Sequence, residues 1–344
     1  MRTRSLLLSA CFRIAFACLV VVCGSAFGDT KPTPAMQSVI DALTKANAAV
    51  VGVEVTTTED ARSAETLGHH RTGSGVVIGA DGLILTIGYL MLEADTIQIT
   101  TRDERTFPAR AVGYDVATGF GLIKPLLPLR INPVSLGSHQ DLSPGDALMA
   151  ASGGDQPDVA VTRLVSKRPF SGYWEYHIDA ALFTSPPIGN HSGAPLFNRR
   201  GELLGIGSLF VADALGKSPP VPGNMFVPVD LLKPILDEMQ RTGRSAQSRR
   251  PWLGVTSSEQ DGHVLVVRVT NDSPAEAAGL RRGDVVLAVD GVGVTTLEQF
   301  YKRIWAHANP EDEMKLTVVQ EGDTKVLTLK GVDRLTTLAK PAGI

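Results

Sequence analysis

The sequence predicts a mainly β protein: a sandwich or barrel of short strands, then a smaller α+β unit beyond a polar linker. Three observations carry this. Gly and Pro contribute 34 and 21 of 344 residues, a turn-rich balance that favours short strands over a helical bundle or coiled coil. Apolar residues make up 43% and charged residues 20%, which supplies a core and argues against disorder. Short β-branched runs recur with turn signals between them. At roughly 150 residues per domain the length suggests two or three domains. Lys and Arg number 33 against 36 Asp and Glu, a net charge of −3, so there is no basic excess for a nucleic-acid partner.

Residues 1–28 read as a secretory signal peptide. Arg2 and Arg4 form the positive n-region, Ile14 to Cys23 the apolar core, and Gly24, Ser25, Ala26 and Gly28 the small-residue cluster before Asp29. An uncleaved anchor is the alternative, but the run is short for a span. Lipidation at Cys23 is a second, but Val20 to Val22 lack the usual small residue before it. Cleavage predicts a secreted or periplasmic protein with no later apolar stretch long enough to span a bilayer. All three cysteines (Cys11, Cys18, Cys23) lie in this leader, so the mature chain is expected to have no disulfide or thiol chemistry. Removing three arginines takes the charge from −3 to −6, which suits solubility.

The elements follow in order. Met36 to Ala48 has apolar residues at helical spacing. Val50 to Val55 alternates as a strand, and Thr56 to Thr72 reads as a polar loop. Gly73 to Gly82 and Leu83 to Thr86 form strand, Asp-Gly turn, strand. Further strands are expected at 97–101, 109–113, 121–123, 147–151, 159–165, 175–178 and 203–210, and a helix from Leu231 to Arg241 ending at Gly243. Residues 36–240 then form one domain. Residues 241–250 are polar and basic, and read as a linker with few contacts across it. Residues 251–335 form the second domain. Its strands are expected at 252–255, 264–269 and 285–289, with helices at 274–278 and 296–306. A hairpin, 315–320 and 325–329, turns at Glu321-Gly322-Asp323.

One segment has the composition of a nucleophile loop: Gly189-Asn-His-Ser-Gly-Ala-Pro-Leu196. Small residues flank Ser192, so backbone N–H groups can converge on an oxyanion; alone, the segment also reads as an ordinary turn. Its context resembles the HtrA/DegP family of exported trypsin-like serine proteases with a C-terminal PDZ domain. The matching stretches are Gly73-Ser-Gly-Val-Val-Ile, Ala111-Val-Gly-Tyr-Asp115, Asp179-Ala-Ala181, Ser192-Gly-Ala-Pro-Leu, Gly201-Glu-Leu-Leu-Gly-Ile-Gly and Val227-Pro-Val-Asp-Leu231. The second domain adds Trp252-Leu-Gly-Val, Asp272-Ser-Pro-Ala-Glu-Ala-Ala-Gly-Leu and Arg282 to Gly291. The resemblance covers residues 36–335. It implies a chymotrypsin/trypsin-like double β-barrel followed by a small α+β PDZ domain.

It also places the triad positions. Ser192 matches the nucleophile. Tyr89, at the end of Gly82-Leu-Ile-Leu-Thr-Ile-Gly-Tyr, stands where the family has His. Gly119, in Thr118-Gly-Phe-Gly-Leu-Ile-Lys124, stands where it has Asp. Asn190 and Ser192 fall at the oxyanion-hole positions. Asn190 replaces a glycine there, and Leu182 to His191 lengthens the approach to Ser192. His191, adjacent to Ser192 in sequence, does not supply a triad-type hydrogen bond. His69 and His70, just before Gly73, are candidate replacement bases, against the simpler reading of two solvated loop histidines. The expectation is a catalytically impaired peptide-binding or protein-quality-control factor. The alternative is an active serine endopeptidase with Ser192 and a rearranged base.

Trp252, Leu253, Gly254 and Val255 match the family's carboxylate-binding loop. Backbone N–H groups there can capture a terminal carboxylate while a peptide adds as a strand. The expected partners are polypeptides with free C-termini or unfolded proteins. A homo-oligomer is also implied, although the family's trimers use aromatics near the mature N-terminus and residues 29–40 contain none. No cofactor is expected, and seven histidines without paired spacing suggest no metal site.

Overall fold

A computed structural model describes residues 32–339, so the leader 1–28 lies outside the described residues. The chain divides after Ser38, and helix α1 (Pro34–Asn47) straddles the division. The barrels and sheets all belong to the part from Val39 onward.

Two closed six-stranded antiparallel barrels come first. The first contains β1 (Val50–Thr57), β2 (His70–Val77), β3 (Ile84–Ile87), β4 (Ala94–Thr100), β5 (Thr106–Tyr114) and β6 (Phe120–Pro125), in the order β1-β2-β3-β6-β5-β4. The second contains β7 (Ala147–Ala151), β8 (Val159–Gly172), β9 (Tyr176–Ser185), β10 (Pro195–Phe197), β11 (Leu203–Val211) and β12 (Gly223–Pro228), in the order β10-β11-β12-β9-β8-β7. Closure removes the sheet edges, and inward residues fill the small interiors. Leu85, Phe120 and Leu122 lie on one face of the first barrel, and Leu164, Leu182, Leu196 and Phe226 form one cluster in the second, all fully buried.

The α+β unit follows as two sheets. A short pair joins β13 (Pro251–Trp252) to β20 (Val332–Asp333). The main sheet runs β14 (Val255–Gln260), β15 (His263–Val269), β16 (Val285–Val289), β18 (Glu313–Gln320), β19 (Asp323–Lys330), with β17 (Val292–Gly293) beside β16. Its helices begin as their sequences dictate. Ser273 accepts from the Glu276 N–H ahead of Pro274–Ala277, and Thr296 accepts from the Gln299 N–H ahead of Leu297–Ile304; both are N-caps. Phe300, Tyr301 and Ile304 bury one face of the latter helix against Val286, Leu316 and Val318.

Four expectations need correction. The 56–72 segment is not all loop: β1 reaches Thr57, β2 starts at His70, and a helical turn spans Ala64–Leu67. The 159–165 strand runs on to Gly172, because its outer half pairs with β9 through a three-residue turn, Tyr173–Glu175. The expected strand 252–255 is broken at Leu253 and Gly254, where Gly254 takes a φ of +84°.

The fourth concerns residues 241–250, which are held by polar rather than apolar contacts. Asp115 is fully buried and accepts from the Ser248 hydroxyl at 2.7 Å and from the Ser245 hydroxyl. Its other oxygen accepts from the Thr118 N–H and hydroxyl at 2.8 and 2.7 Å. The Arg250 guanidinium lies 3.5 Å from the centre of the Trp305 ring. Burial pushes its pKa down to about 10. Few contacts were expected across this segment because it lacks apolar anchors; serines on a buried carboxylate serve that role instead.

Candidate active site and peptide groove

The Ser192 loop sits between the barrels. The Ser74 N–H donates to Ser192 O at 2.8 Å, and the Thr86 hydroxyl donates to Ser74 O at 2.7 Å. Gly193 has a φ of +74°, and a Cβ there would lie 2.0 Å from Ser74 O, so only glycine fits this close approach. Tyr89 lies in a 3-10 turn, Gly88–Met91. Arg71, buried in β2, fixes that turn by donating to Tyr89 O at 3.0 Å and Leu92 O at 2.9 Å.

The Tyr89 hydroxyl is 2.7 Å from Ser192 Oγ and 3.0 Å from Ser208 O. A phenol has one proton to donate. When Ser208 O takes it, the Ser192 hydroxyl donates to the phenol oxygen. Among the described residues Tyr89 is the side-chain partner of Ser192 Oγ. Burial pushes the Tyr89 pKa up to about 12, with the Ser192 bond opposing. Gly119 stands beside this turn, its carbonyl accepting from the Gly88 N–H at 2.7 Å. Its φ is +83°, and Tyr176 Oη lies 3.2 Å from where a Cβ would be.

The structure thus gathers Ser192, Tyr89 and Gly119, and leaves the histidines elsewhere. His69 Nδ1 pairs with the Thr57 hydroxyl at 2.9 Å, and His70 Nε2 lies 3.4 Å from Glu54. His191 Nδ1 is directed at Gly189 O, and burial lowers its pKa. Asn190 is not among the described residues with positive φ, and its side-chain amide donates to Gln156 O at 3.4 Å.

The second site is built from backbone. Leu253 and Val255 bury their side chains in the core while their N–H groups face outward with that of Gly254. All three donate to one group, the side-chain carboxylate of Glu175 in the β8–β9 turn, at 2.9 Å from Leu253, 2.7 Å from Gly254 and 2.9 Å from Val255. Burial pushes the Glu175 pKa up, and the three N–H groups oppose it. Trp252 stands beside this loop, half-buried, with the Arg334 guanidinium 5.3 Å from its ring centre. Gly254 cannot be varied freely: a Cβ would meet Ser273 Cβ at 2.3 Å.

Residues 73–206 match the trypsin-like peptidase domain family and residues 251–330 the PDZ domain family. A putative serine protease HhoA of Synechocystis is 29% identical over 277 residues, covering 74% of this chain and 68% of its own. A probable periplasmic serine endoprotease, DegP-like, of Chlamydia pneumoniae is 28% identical over 268 residues, covering 73% of this chain and 52% of its own. The chain is a member of the HtrA/DegP-like family. It spans about half the length of most of the DegP-like relatives it matches. Two solved structures share the fold. The HtrA-type protease AlgW with tripeptide has a TM-score of 0.53 at 22% identity, over 85% of this chain and 96% of its own. The serine endoprotease from Yersinia pestis has a TM-score of 0.52 at 22% identity, over 85% and 96%.

Two features of this HtrA/DegP-like chain escape sequence reasoning. Glu175 reads there only as the start of a strand; the Gly-Tyr-Trp-Glu composition of a hairpin turn, rich in aromatics, is the signal that marks it. The other is a cluster of His177, Asp179 and Glu298, whose ligand atoms lie within 4.8 Å of one another. Lys302 donates to Asp179 at 2.7 Å and to Glu298 at 2.8 Å, so an ammonium already supplies the cation between these carboxylates. The i, i+2 spacing of His177 and Asp179 on one strand face is its only trace in the sequence.

Proposed function

We propose that this protein is an exported HtrA/DegP-like factor with an impaired protease site, acting by binding polypeptides through its PDZ domain. The observation that carries the reading is the Tyr89–Ser192 contact. A serine hydroxyl needs a base poised near neutral pH. A phenol with a pKa of about 12 is ionised in roughly one molecule in 10⁵ at pH 7. Gly119 offers no carboxylate to orient a base. Loss of the base in a comparable triad lowers turnover by about 10⁶, leaving roughly 10³ to 10⁴ over water from binding and the oxyanion hole. The alternative with a rearranged base finds no support in the histidines, which pair with Thr57, Glu54 and Gly189.

The binding role is supported by the three convergent N–H groups of residues 253–255 and by a fold neighbour named with a bound tripeptide. Export is supported by the leader and by relatives named periplasmic. The test is turnover of unfolded casein by the mature protein beside Ser192→Ala. The expected result is no turnover above that control. Turnover that vanishes in Ser192→Ala would overturn the reading and establish the active protease.

A further inference from the structure

The occupant of the PDZ groove belongs to the chain itself. Glu175 holds the three N–H groups that a peptide's terminal carboxylate would need. The contact extends beyond one side chain. The Ser257 N–H donates to Tyr173 O at 2.9 Å. β14 pairs on one side with β15 and is the edge of its sheet. The Val255 and Ser257 N–H groups, two residues apart, point the same way from that edge. Tyr173 and Glu175 therefore bond to β14 at strand spacing, as an added strand ending in a carboxylate does. The Tyr301 hydroxyl, from the helix on the other wall, donates to Gly172 O at 2.8 Å. Glu175 adopts a φ of +56°, an uncommon conformation for a non-glycine residue, and this turn brings its side chain into the loop.

We propose that the hairpin tip Gly172–Glu175 is an internal ligand, with the Glu175 side chain in place of a C-terminal carboxylate. An external peptide with a free C-terminus binds only by displacing it. This rests on the reading of the groove as a peptide site. A tethered ligand acts at an effective concentration in the millimolar range for a short connection. The resting chain is then closed to weak ligands and opens to those that outcompete the hairpin. Any such ligand also frees the β8–β9 turn, whose next residue, Tyr176, donates to Thr118 O at 2.7 Å beside Gly119. Occupancy of the groove and the structure around the Gly119 position are linked through this hairpin.

The test uses the full chain, as wild type and as Glu175→Gly. Glycine accepts the positive φ and removes the carboxylate. The probe is a fluorescein-labelled decapeptide ending in Gly-Tyr-Trp-Val with a free carboxylate, with its C-terminal amide as control. Fluorescence anisotropy reads affinity, and amide hydrogen exchange reads Leu253, Gly254, Val255 and Ser257. The expected result is at least tenfold tighter binding of the free acid by Glu175→Gly, with faster exchange at those four amides and unchanged exchange in β16 and β18. Where β16 and β18 also lose protection the domain has unfolded, and Glu175→Gln is read in its place. Equal affinity of wild type and variant for the free acid overturns the internal ligand and leaves the peptide-binding reading standing. Failure of the variant to bind the free acid, or equal binding of acid and amide, overturns the peptide-binding reading and the competition with it. Unchanged exchange at the four amides also overturns the internal ligand.

Discussion

The Ser192 loop and the 253–255 loop both turn backbone toward a ligand, but they depend on different chemistry. On the function proposed above, the first needs three side chains from three separate segments, with Tyr89 and Gly119 standing beside Ser192 at the other two positions. The second needs only backbone N–H groups, and these still converge on one carboxylate within 2.9 Å. On that reading, a site made of side chains can be altered by two substitutions that the fold absorbs. A site made of backbone lasts as long as the fold that bends it, and is hard to lose without unfolding the domain.

The sharpest way to break this contrast is to damage each loop by one residue. Gly254→Val places a branched Cβ at a φ of +84° and against Ser273 Cβ at 2.3 Å. It should destabilise the PDZ domain by more than about 3 kcal/mol, seen as loss of protection in β16 and β18. An intact fold with abolished peptide binding would need Gly254 to lie on an open loop; it is packed against Ser273. Ser192→Ala should cost about 1 kcal/mol or less, because Tyr89 keeps its bond to Ser208 O. A comparable loss of melting temperature in both variants would collapse the distinction.

The second prediction concerns reversal. Tyr89→His with Gly119→Asp should not restore casein turnover. Gly119 lies at a φ of +83° with Tyr176 Oη 3.2 Å from an added Cβ. An aspartate there carries about 1–2 kcal/mol of backbone strain, and Tyr176 stands where its side chain would begin. The double variant is expected to melt earlier than wild type and to remain inactive. Turnover by it would show that the Ser192 loop retains a working oxyanion site.

How much of this was legible divides along the same line. Strand alternation in 50–55, the strand at 203–210, the helices beginning near 274 and 296 and the helix end at Gly243 are local signals, and they sit in the structure near where sequence puts them. The pairing of Tyr89 with Ser192, 103 positions apart, became visible only through the family resemblance. The anchoring of Ser245 and Ser248 on Asp115 was not legible, because a serine-rich polar stretch reads the same whether solvated or bound to a buried carboxylate. Glu175 is harder to read for the same reason: the aromatic Gly-Tyr-Trp-Glu composition marks the turn as unusual, but not the backbone that its carboxylate meets about 80 residues later.

A third, smaller effect sharpens the account of Tyr89 itself. Tyr89→Phe removes the hydroxyl that bonds Ser208 O and Ser192 Oγ. The expected loss is about 1–2 kcal/mol of stability, measured by denaturant unfolding, with casein turnover unchanged at the level of Ser192→Ala. No loss at all would mean that water or a rotated Ser192 replaces the phenol, and that the contact contributes nothing to the fold.

The smallest effect is a pH dependence. Tyr89 titrates at about 12 in the folded chain and near 10 when unfolded. The folded state therefore holds a proton that the unfolded state releases between those values. The stabilisation from Tyr89 is fully present below pH 10 and is lost as pH rises toward 12. Burial also raises Tyr114, Tyr176 and Tyr301, so the whole chain should lose stability steeply in this range. Tyr89→Phe isolates one share: its unfolding free energy should fall with pH by up to about 1.4 kcal/mol per unit less than that of wild type. The same shift keeps the phenolate next to Ser192 to about one molecule in 10² even at pH 10, and turnover is expected to stay negligible from pH 7 to 10. Serine-dependent casein cleavage rising tenfold per pH unit over that interval would instead reveal Tyr89 as a working base. The Ser192 loop would then still hold a side-chain site, and the contrast with the 253–255 loop would fail.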